Sequence, residues 1–249
     1  TTKLTSQPIF ESPFAIDTFA ETLLDNTPPS TYTTIPGQEA ATTDEGLIEG
    51  PNDDYGDTTY YYRGAVTNNY VSFAGLTWKI IRINGDGTVR MILDDYTDAT
   101  GVMWNANYSS TDYATAMSYI SYENSAVKTH VETWYNTNIG NNTTYSSKVA
   151  TTKFCNDKSG ITEYTGETQY FAPYNRLYPV ASSAPIMTCP DTNDIYNLKV
   201  GLITADEVAF AGSGYPNINQ SYYLYNDLIG DNWWLLSVHY WEWDGTLNA

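Results

Sequence analysis

Three segments of the chain carry apolar residues at helical spacing. The first runs from Phe14 to Leu24, and the second runs from Asn124, which we expect to cap it, to Thr137. The third begins at Thr204, where Thr204 and Glu207 form a T-x-x-E capping box, and Gly212 stands where the helix should end. The pattern therefore predicts about three helices.

Between the first two of these segments, aromatic and β-branched residues follow the pattern of strands. They dominate the chain from Thr58 to Leu93, and residues 76–83 alternate apolar with polar over most of their length. Asn84-Gly85-Asp86-Gly87 then provides a turn and residues 88–93 return, which predicts a β-hairpin. Together with the helices, these strands predict an α+β fold built on a mixed, mostly antiparallel sheet.

The N-terminal part of the chain has a different composition. After the first helix, residues 30–57 are rich in Thr, Pro, Gly, Asp and Glu, which is typical of a linker or an extended arm. We therefore divide the chain into residues 1–57, a helix with an extended polar arm, and residues 58–249, an α+β surface domain. Such an arm packs either on its own domain or on a neighbouring subunit, and the second case predicts self-association.

Charge and composition restrict the partners of the chain. Charged residues make up only 16% of it, against about a quarter in typical soluble domains, and 23 tyrosines with many Thr, Ser and Asn take their place. Eleven basic residues against 29 acidic residues give a formal charge of −18 at pH 7. Such a chain repels phosphate groups, which argues against nucleic acid and anionic membrane surfaces as partners. No run of about 18 apolar residues is present, so no membrane span is predicted.

The chain has two cysteines, Cys155 and Cys189. Outside the cell such a pair predicts one disulfide, and two free buried thiols are the alternative. A bridge between them would stabilise the fold by roughly 3–4 kcal/mol, because it closes a long loop in the unfolded chain. A structural metal site would need more Cys or His than this chain has.

The motifs of common enzyme classes are absent from the sequence. The two histidines, His130 and His239, have no partner that the sequence identifies. Adjacent acids such as Asp206-Glu207 leave a glycosidase pair open, because only separation in space decides that chemistry. The oxygen-rich residues 52–57 and 191–194 do not fit the twelve-residue calcium loop. The sequence therefore predicts no enzyme, no cofactor and no metal site.

The C-terminal tail is the strongest candidate for ligand binding. His239, Tyr240, Trp241, Trp243 and Asp244 concentrate rings and hydrogen-bonding groups in one short stretch. Tyr and Trp provide rigid contact area, and such rings stack on sugars and on protein surfaces. The alternative for the tryptophans is that they fill the core. The tail therefore predicts a site for a glycan or a protein.

Several blocks of the sequence resemble a known family. They include Tyr60-Tyr61-Tyr62-Arg63-Gly64, Phe154-Cys155-Asn156-Asp157 and Trp233-Trp234-Leu235-Leu236-Ser237, with further blocks at residues 23–26, 69–75, 78–87, 123–125, 133–135, 201–207 and 222–225. The family is an uncharacterised one of Tyr- and Asn-rich surface proteins of gut-dwelling Gram-positive bacteria. The resemblance implies a C-type-lectin-like fold in the C-terminal part and a prepilin-like or other export segment ahead of it. It brings no activity, so no catalytic residue is carried over.

The sequence departs from the family pattern near its end. Val238 follows the block at residues 233–237 where the family usually has Pro, and relatives continue through further strands to a Gly-Val-Arg-Pro-like end, whereas this sequence stops at Ala249. We therefore expect the closing strand of the fold to be missing. Either a neighbouring copy supplies a strand at this edge, or the sequence is a shortened one.

Two hypotheses of different classes follow for a protein of the bacterial cell surface. The first is an extracellular assembly subunit of a filament or pilus-like appendage, which joins its neighbours through the N-terminal arm. The second is a monomeric adhesin whose C-terminal aromatic residues bind a glycan or a protein. A secreted enzyme acting on glycans is the third and least supported.

Overall fold

A computed structural model gives the fold over residues 18–31, 41, 44–97, 101–106, 109–163, 167–178, 184–214, 219–225, 234–243 and 247–248. These residues form six α-helices: α1 Phe19–Asn26, α2 Tyr113–Ile120, α3 Ala126–Tyr135, α4 Thr143–Ser146, α5 Ala172–Leu177 and α6 Ala205–Phe210. They also form twelve strands: β1 Ser30–Thr31, β2 Asp44–Asn52, β3 Thr58–Gly64, β4 Tyr70–Phe73, β5 Leu76–Ile83, β6 Val89–Leu93, β7 Ser109–Ser110, β8 Thr152–Cys155, β9 Gln169–Tyr170, β10 Ile195–Leu198, β11 Tyr240–Trp243 and β12 Leu247–Asn248. Within this part of the chain, no helix has the length and apolar character needed to cross a membrane.

The strands form three sheets. The central sheet has the order β1-β2-β3-β5-β4, with β6 paired to β5, and all its pairs except β1 with β2 are antiparallel. β8 pairs with β10, and β7-β12-β11-β9 make a third sheet. The predicted α+β class and its mostly antiparallel sheet are therefore confirmed, while the C-type-lectin-like arrangement of the C-terminal part stays a prediction.

The predicted hairpin joins β5 to β6. The backbone N–H of Gly87 donates to the carbonyl of Asn84 at 2.9 Å, and the N–H of Asn84 donates to the carbonyl of Thr88 at 2.8 Å. Gly87 has φ +78°, a conformation that glycine adopts without a steric cost. The predicted hairpin is therefore confirmed. The sequence could predict it because the turn depends only on neighbouring residues.

Side-chain caps determine where α6 and α3 begin. α6 begins after Thr204, whose hydroxyl accepts from the N–H of Glu207 at 3.1 Å, so the predicted capping box is confirmed. α3 is capped by Ser125 rather than by Asn124, because the Ser125 hydroxyl accepts from the N–H of Lys128 at 3.0 Å.

The first helix begins later than predicted. α1 starts at Phe19 because Thr18 and Glu21 form a capping box that the sequence analysis overlooked, and residues 14–17 lie outside the described part. Three further helices, α2, α4 and α5, are not predicted by the sequence pattern, because they are short and lie in segments with weak apolar periodicity.

β2 lies inside the segment predicted to be an extended arm. It pairs with β3 so that Leu47 lies opposite Tyr62 and Ile48 opposite Tyr61. Leu47 and Ile48 are buried in the core, and their burial holds this strand in the central sheet. The boundary predicted at residue 57 therefore falls between two strands of one hairpin, while residues 1–17 and 32–40 of the predicted arm lie outside the described residues.

A buried ion cluster joins α6 to the central sheet. Glu207 Oε1 accepts from Arg82 Nε at 2.9 Å and from Arg90 Nη1 at 2.7 Å, and Arg82 also contacts Asp53 at 3.3 Å. All four residues are less than a tenth exposed. Burial alone would raise the pKa of Glu207, but the charges of Arg90 and Arg82 and their hydrogen bonds outweigh it and lower the pKa to about 2.

The other end of α6 is held by a third arginine. Arg63 of β3 is fully buried, and its Nη1 donates to the carbonyls of Ala209 and Phe210, each at 3.2 Å. A cation at the C-terminus of a helix satisfies carbonyls that have no partner within the helix. Arginines of the sheet therefore contact both ends of α6.

The two cysteines form the predicted disulfide. Cys155 ends β8, Cys189 lies 34 residues further along, and their Cα atoms are 5.5 Å apart. The backbone N–H of Cys189 donates to Asp54 Oδ1 at 2.9 Å, which also fixes the loop to the turn after β2.

We expect loss of this disulfide to lower the free energy of unfolding by about 3–4 kcal/mol, since the bridge restricts a long loop of the unfolded chain. Urea denaturation of the oxidised chain, the reduced chain and the C155S/C189S variant would measure the change. A reductant should not affect the variant. Equal stability of all three species would contradict the prediction.

We expect Glu207→Gln to lower the free energy of unfolding at neutral pH by roughly 3–5 kcal/mol, because two buried arginines lose their carboxylate. Glu207 has a depressed pKa in the folded chain, so it stabilises the fold above its ordinary pKa of 4.5. This contribution, about 3 kcal/mol, is lost as the pH falls from 4.5 through 2.

Denaturant titrations at pH 7 and pH 3 measure both effects. Glu132→Gln, which breaks a more exposed ion pair on α3, is the matched control and should cost less than about 1 kcal/mol. If the E207Q variant loses as much stability on acidification as the wild type, the role of this carboxylate is refuted.

Candidate functional site

Three tyrosines lie one helical turn apart around α5. Tyr170 belongs to β9, Tyr174 lies in α5, and Tyr178 follows the helix as its C-cap. Only Tyr174 lies within the helix, and the ring contacts place Tyr170 before it and Tyr178 after it on the same side. Pro173 near the start of α5 fixes a helical φ, and the N–H of Tyr178 donates to the carbonyl of Tyr174 at 2.9 Å.

The three rings form a stacked column. The ring centroids of Tyr170 and Tyr174 are 4.3 Å apart with an angle of 20° between the planes. Those of Tyr174 and Tyr178 are 5.0 Å apart with an angle of 13°. The exposed parts of Tyr170 and Tyr178 are the surfaces of this column that a ligand can reach.

β11 brings two residues of the C-terminal tail to the same column. Tyr240 lies directly opposite Tyr170 in the β9–β11 pair, and their ring centroids are 5.8 Å apart. The imidazole of His239 lies 4.7 Å from the Tyr174 ring and meets the Tyr240 ring edge-on at 4.6 Å. We call this group the tyrosine platform, and its members are Tyr170, Tyr174, Tyr178, His239 and Tyr240.

The tyrosine platform is exposed above a buried layer. Tyr170, Tyr178 and Tyr240 are 41%, 38% and 39% exposed. Phe171, the next residue after Tyr170, is fully buried among side chains that include Ile120 and Ile161. The extended backbone from Tyr170, at the end of β9, to Phe171, the N-cap of α5, therefore places one aromatic ring on the surface and the next in the core.

Arg176 fixes α5 from the side opposite to the rings. Its Nε donates to Asp206 Oδ1 at 2.7 Å, and its Nη1 donates to Asp157 Oδ2 at 2.6 Å. Burial alone would lower the pKa of Arg176, but the hydrogen bonds and charges of Asp206 and Asp157 outweigh it and raise the pKa. Charge-assisted bonds of this kind hold the helix in one orientation.

Gly160 lets α5 approach the neighbouring loop closely. The N–H of Ala172 donates to the carbonyl of Ser159 at 2.9 Å, and a Cβ on Gly160 would lie only 2.9 Å from the backbone nitrogen of Ala172. With φ +96°, this position also favours glycine by conformation. The hydrogen bond and the close approach together hold the first residue of α5 against this loop.

The structure places two of the predicted site residues in the tyrosine platform. His239 and Tyr240 contribute rings, and partial burial lowers the pKa of His239, so its imidazole is neutral at neutral pH. Trp241 and Trp243 belong to β11, but their side chains lie outside the described part, as does Asp244 altogether.

Tyr170, Tyr174 and Tyr178 are not among the residues predicted to bind a ligand. The spacing i, i+4, i+8 was the pattern that could have revealed them, since it places side chains on one helical face. The segment was instead interpreted as loop-rich, because the helix has only six residues and contains a proline.

The buried charged residues around α6 serve the fold. A cavity of about 30 Å³ lies beneath the disulfide, where Arg82, Arg90 and Arg176 meet Asp157 and Glu207. It has room for about two water molecules. Among the described residues, no group of three or more His, Cys, Asp or Glu is arranged to hold a metal ion. His130 contacts the hydroxyl of Thr97 at 3.1 Å.

No protein-family model, curated protein or solved structure matches the chain. The functional interpretation therefore depends on the tyrosine platform and its surroundings.

We expect Arg176→Lys to loosen the tyrosine platform, because an ammonium group cannot replace the several directed bonds of the guanidinium. The free energy of unfolding should fall by about 1–3 kcal/mol, and the near-UV circular dichroism of stacked tyrosines should weaken. Lys128→Met, which removes ion pairs on the surface of α3, is the control and should leave the tyrosine spectrum unchanged. An unaltered spectrum in the R176K variant would show that Arg176 does not fix the rings.

Proposed function

We propose that the chain is an extracellular, cell-surface protein that binds neutral glycans on the tyrosine platform. The observation that carries the proposal is the exposed aromatic group itself, held rigidly by Arg176 and the buried Phe171. Rings fixed before binding lose little conformational freedom when a ligand arrives. The proposal is one of binding without catalysis.

The size of the exposed surface favours a small ligand over a protein. Tyr170, Tyr178 and Tyr240 each expose about two fifths of their surface. With about 200 Å² for one tyrosine side chain, they offer roughly 240 Å² together. A stable protein–protein interface needs about 800 Å² on each partner, so these rings suit one or two sugar residues better.

Chemical character also supports a neutral sugar. The tyrosine hydroxyls and the neutral imidazole of His239 donate and accept hydrogen bonds, while the ring faces and edges contact C–H groups. The tyrosine platform contains no Asp, Glu, Lys or Arg, partial burial lowers the pKa of its one histidine, and the chain as a whole carries −18. Acidic sugars would be repelled by that charge.

The disulfide supports a location outside the cytoplasm, because such bridges persist in oxidising compartments. The acidic pair that the sequence left open for catalysis, Asp206 and Glu207, is buried and bound to arginines. These contacts favour a structural role for the pair over a glycosidase. The assembly of copies through the N-terminal arm stays a prediction, since residues 1–17, 32–40 and 42–43 of that arm lie outside the described residues.

We expect the chain to bind neutral glycans and not sialylated or sulfated ones on a glycan array. The Y178A/Y240A variant should bind about tenfold more weakly, because two exposed ring contacts are lost. Tyr96→Ala removes a tyrosine that is 42% exposed outside the tyrosine platform and should bind as the wild type does.

The Y178A/Y240A variant should stay folded but lose roughly 1–3 kcal/mol of unfolding free energy, because both rings are more than half buried and pack on Tyr174 and Tyr170. Binding is therefore compared at a temperature at which all three proteins are folded. Equal binding by the Y178A/Y240A variant, or retention of charged glycans alone, would refute the proposed function.

A further inference from the structure

A second concave surface, which shares no residue with the tyrosine platform, lies at the edge of the central sheet. It is an open groove of about 430 Å³ between the β4–β5 pair and residues 220–225. Its volume falls in the range of about 300–1,000 Å³ that is usual for ligand sites. We call it the sheet groove, and the lining residues that matter for its chemistry are Tyr70, Lys79, Asp94, Gln220, Tyr222 and Tyr225.

An ion pair belongs to the lining of the sheet groove. Lys79 Nζ lies 2.7 Å from Asp94 Oδ1, and the side chains are only 8% and 21% exposed. Lys79 stands in the middle of the sheet, opposite Tyr70 on one side and Ile92 on the other. Asp94 is the more exposed member, so the ion pair meets the open space of the groove mainly through its carboxylate.

Tyrosines flank the ion pair. Tyr70 is 47% exposed, and its ring centroid lies 5.5 Å from Lys79 Nζ. In residues 220–225, Tyr222 and Tyr225 have ring centroids 6.4 Å apart, and the amide of Gln220 donates to the Tyr225 hydroxyl at 2.9 Å. Aromatic rings and hydrogen-bonding groups therefore line the same groove.

We infer that the sheet groove is a second binding site, which takes a neutral saccharide through two adjacent hydroxyl groups. The Lys79 ammonium donates to one hydroxyl and the Asp94 carboxylate accepts from its neighbour, which suits groups that both donate and accept. The tyrosine rings contact the C–H groups of the sugar ring.

The charges in and around the sheet groove favour a neutral saccharide over an ionic ligand. Asp94 is neutralised by Lys79, so an organic cation would meet the ammonium group that already holds the carboxylate. An anion would meet a chain of formal charge −18. A neutral polyol gains from both members of the ion pair and is repelled by neither.

Two saccharide sites on one chain would have a further consequence. Simultaneous contact with a branched or repeated glycan raises the overall affinity without any new contact, provided that the glycan spans both sites. The sheet groove does not depend on the tyrosine platform, so either site can be tested while the other is intact.

Fluorine NMR of the full chain labelled with 3-fluorotyrosine can test the sheet groove. The resonances of Tyr70, Tyr225, Tyr178 and Tyr240 are assigned with single Tyr→Phe variants, and the chain is titrated with methyl glucoside, methyl galactoside and methyl mannoside. At least one glycoside should shift the Tyr70 and Tyr225 resonances saturably. The per-O-methylated glycosides, which keep the C–H groups but lack hydroxyl donors, should shift neither.

Two variants locate the effect. Asp94→Asn should lower the affinity measured from the Tyr225 resonance about tenfold or more, since a hydrogen bond to a charged group is lost. Because this change leaves Lys79 unpaired, Tyr70→Ala serves as a second variant at a more exposed position and should lower the affinity similarly. Phe19→Ala, at an exposed aromatic residue of α1, is the control and should leave the affinity unchanged.

The results separate the two sites. If all three glycosides leave Tyr70 and Tyr225 unmoved while Tyr178 and Tyr240 respond, the inference is wrong and the proposed function stands. If the resonances of the sheet groove respond alone, the inference holds and the tyrosine platform is in doubt. If none of the four resonances responds, both are refuted for this class of sugar.

Discussion

Two neighbouring carboxylates in the first turn of α6 connect the main parts of the molecule. Glu207 binds Arg82 and Arg90 of the central sheet, and Asp206 binds Arg176 of α5. A helix of six residues is too short to be stable by its own hydrogen bonds, so α6 depends on these contacts. In turn, the orientation of α5, and with it the rings of the tyrosine platform, depends on α6.

Charged residues are scarce in this chain, yet several of them are buried in these contacts. Only 16% of the residues are charged, yet the arginines that matter most lie inside, where each meets a carboxylate or backbone carbonyls. Inside a protein such contacts are strong and directional, and an unpaired partner is costly. The few basic residues therefore position the helices, while tyrosine, serine and threonine are left to make the surface polar.

Local patterns of the sequence predicted what is local in the fold. The turn at residues 84–87 and the capping box of Thr204 need only neighbouring residues, and both were predicted. The partners of Glu207 lie 117 and 125 residues away in the sequence, which no local pattern encodes. β5 looked amphipathic because it contains Lys79 and Arg82, but both are buried, since Asp94 after β6 neutralises Lys79 while Asp53 and Glu207, further away in the sequence, neutralise Arg82. For the same reason the sequence could indicate His239 and Tyr240, and the regular spacing of the tyrosines around α5, but not that β11 brings the two sets together.

The net negative charge of the chain constrains both proposed binding surfaces, and the two differ in how they would recognise a neutral ligand. An acidic chain attracts cations and repels anions over about 8 Å at physiological ionic strength, so recognition of a neutral ligand must come from contacts at shorter range. The tyrosine platform achieves this with uncharged rings, whereas the sheet groove uses a lysine and an aspartate whose charges compensate each other. In both places tyrosine provides contact area and a hydroxyl without adding charge at neutral pH, which gives its abundance in this chain a physical reason beyond packing.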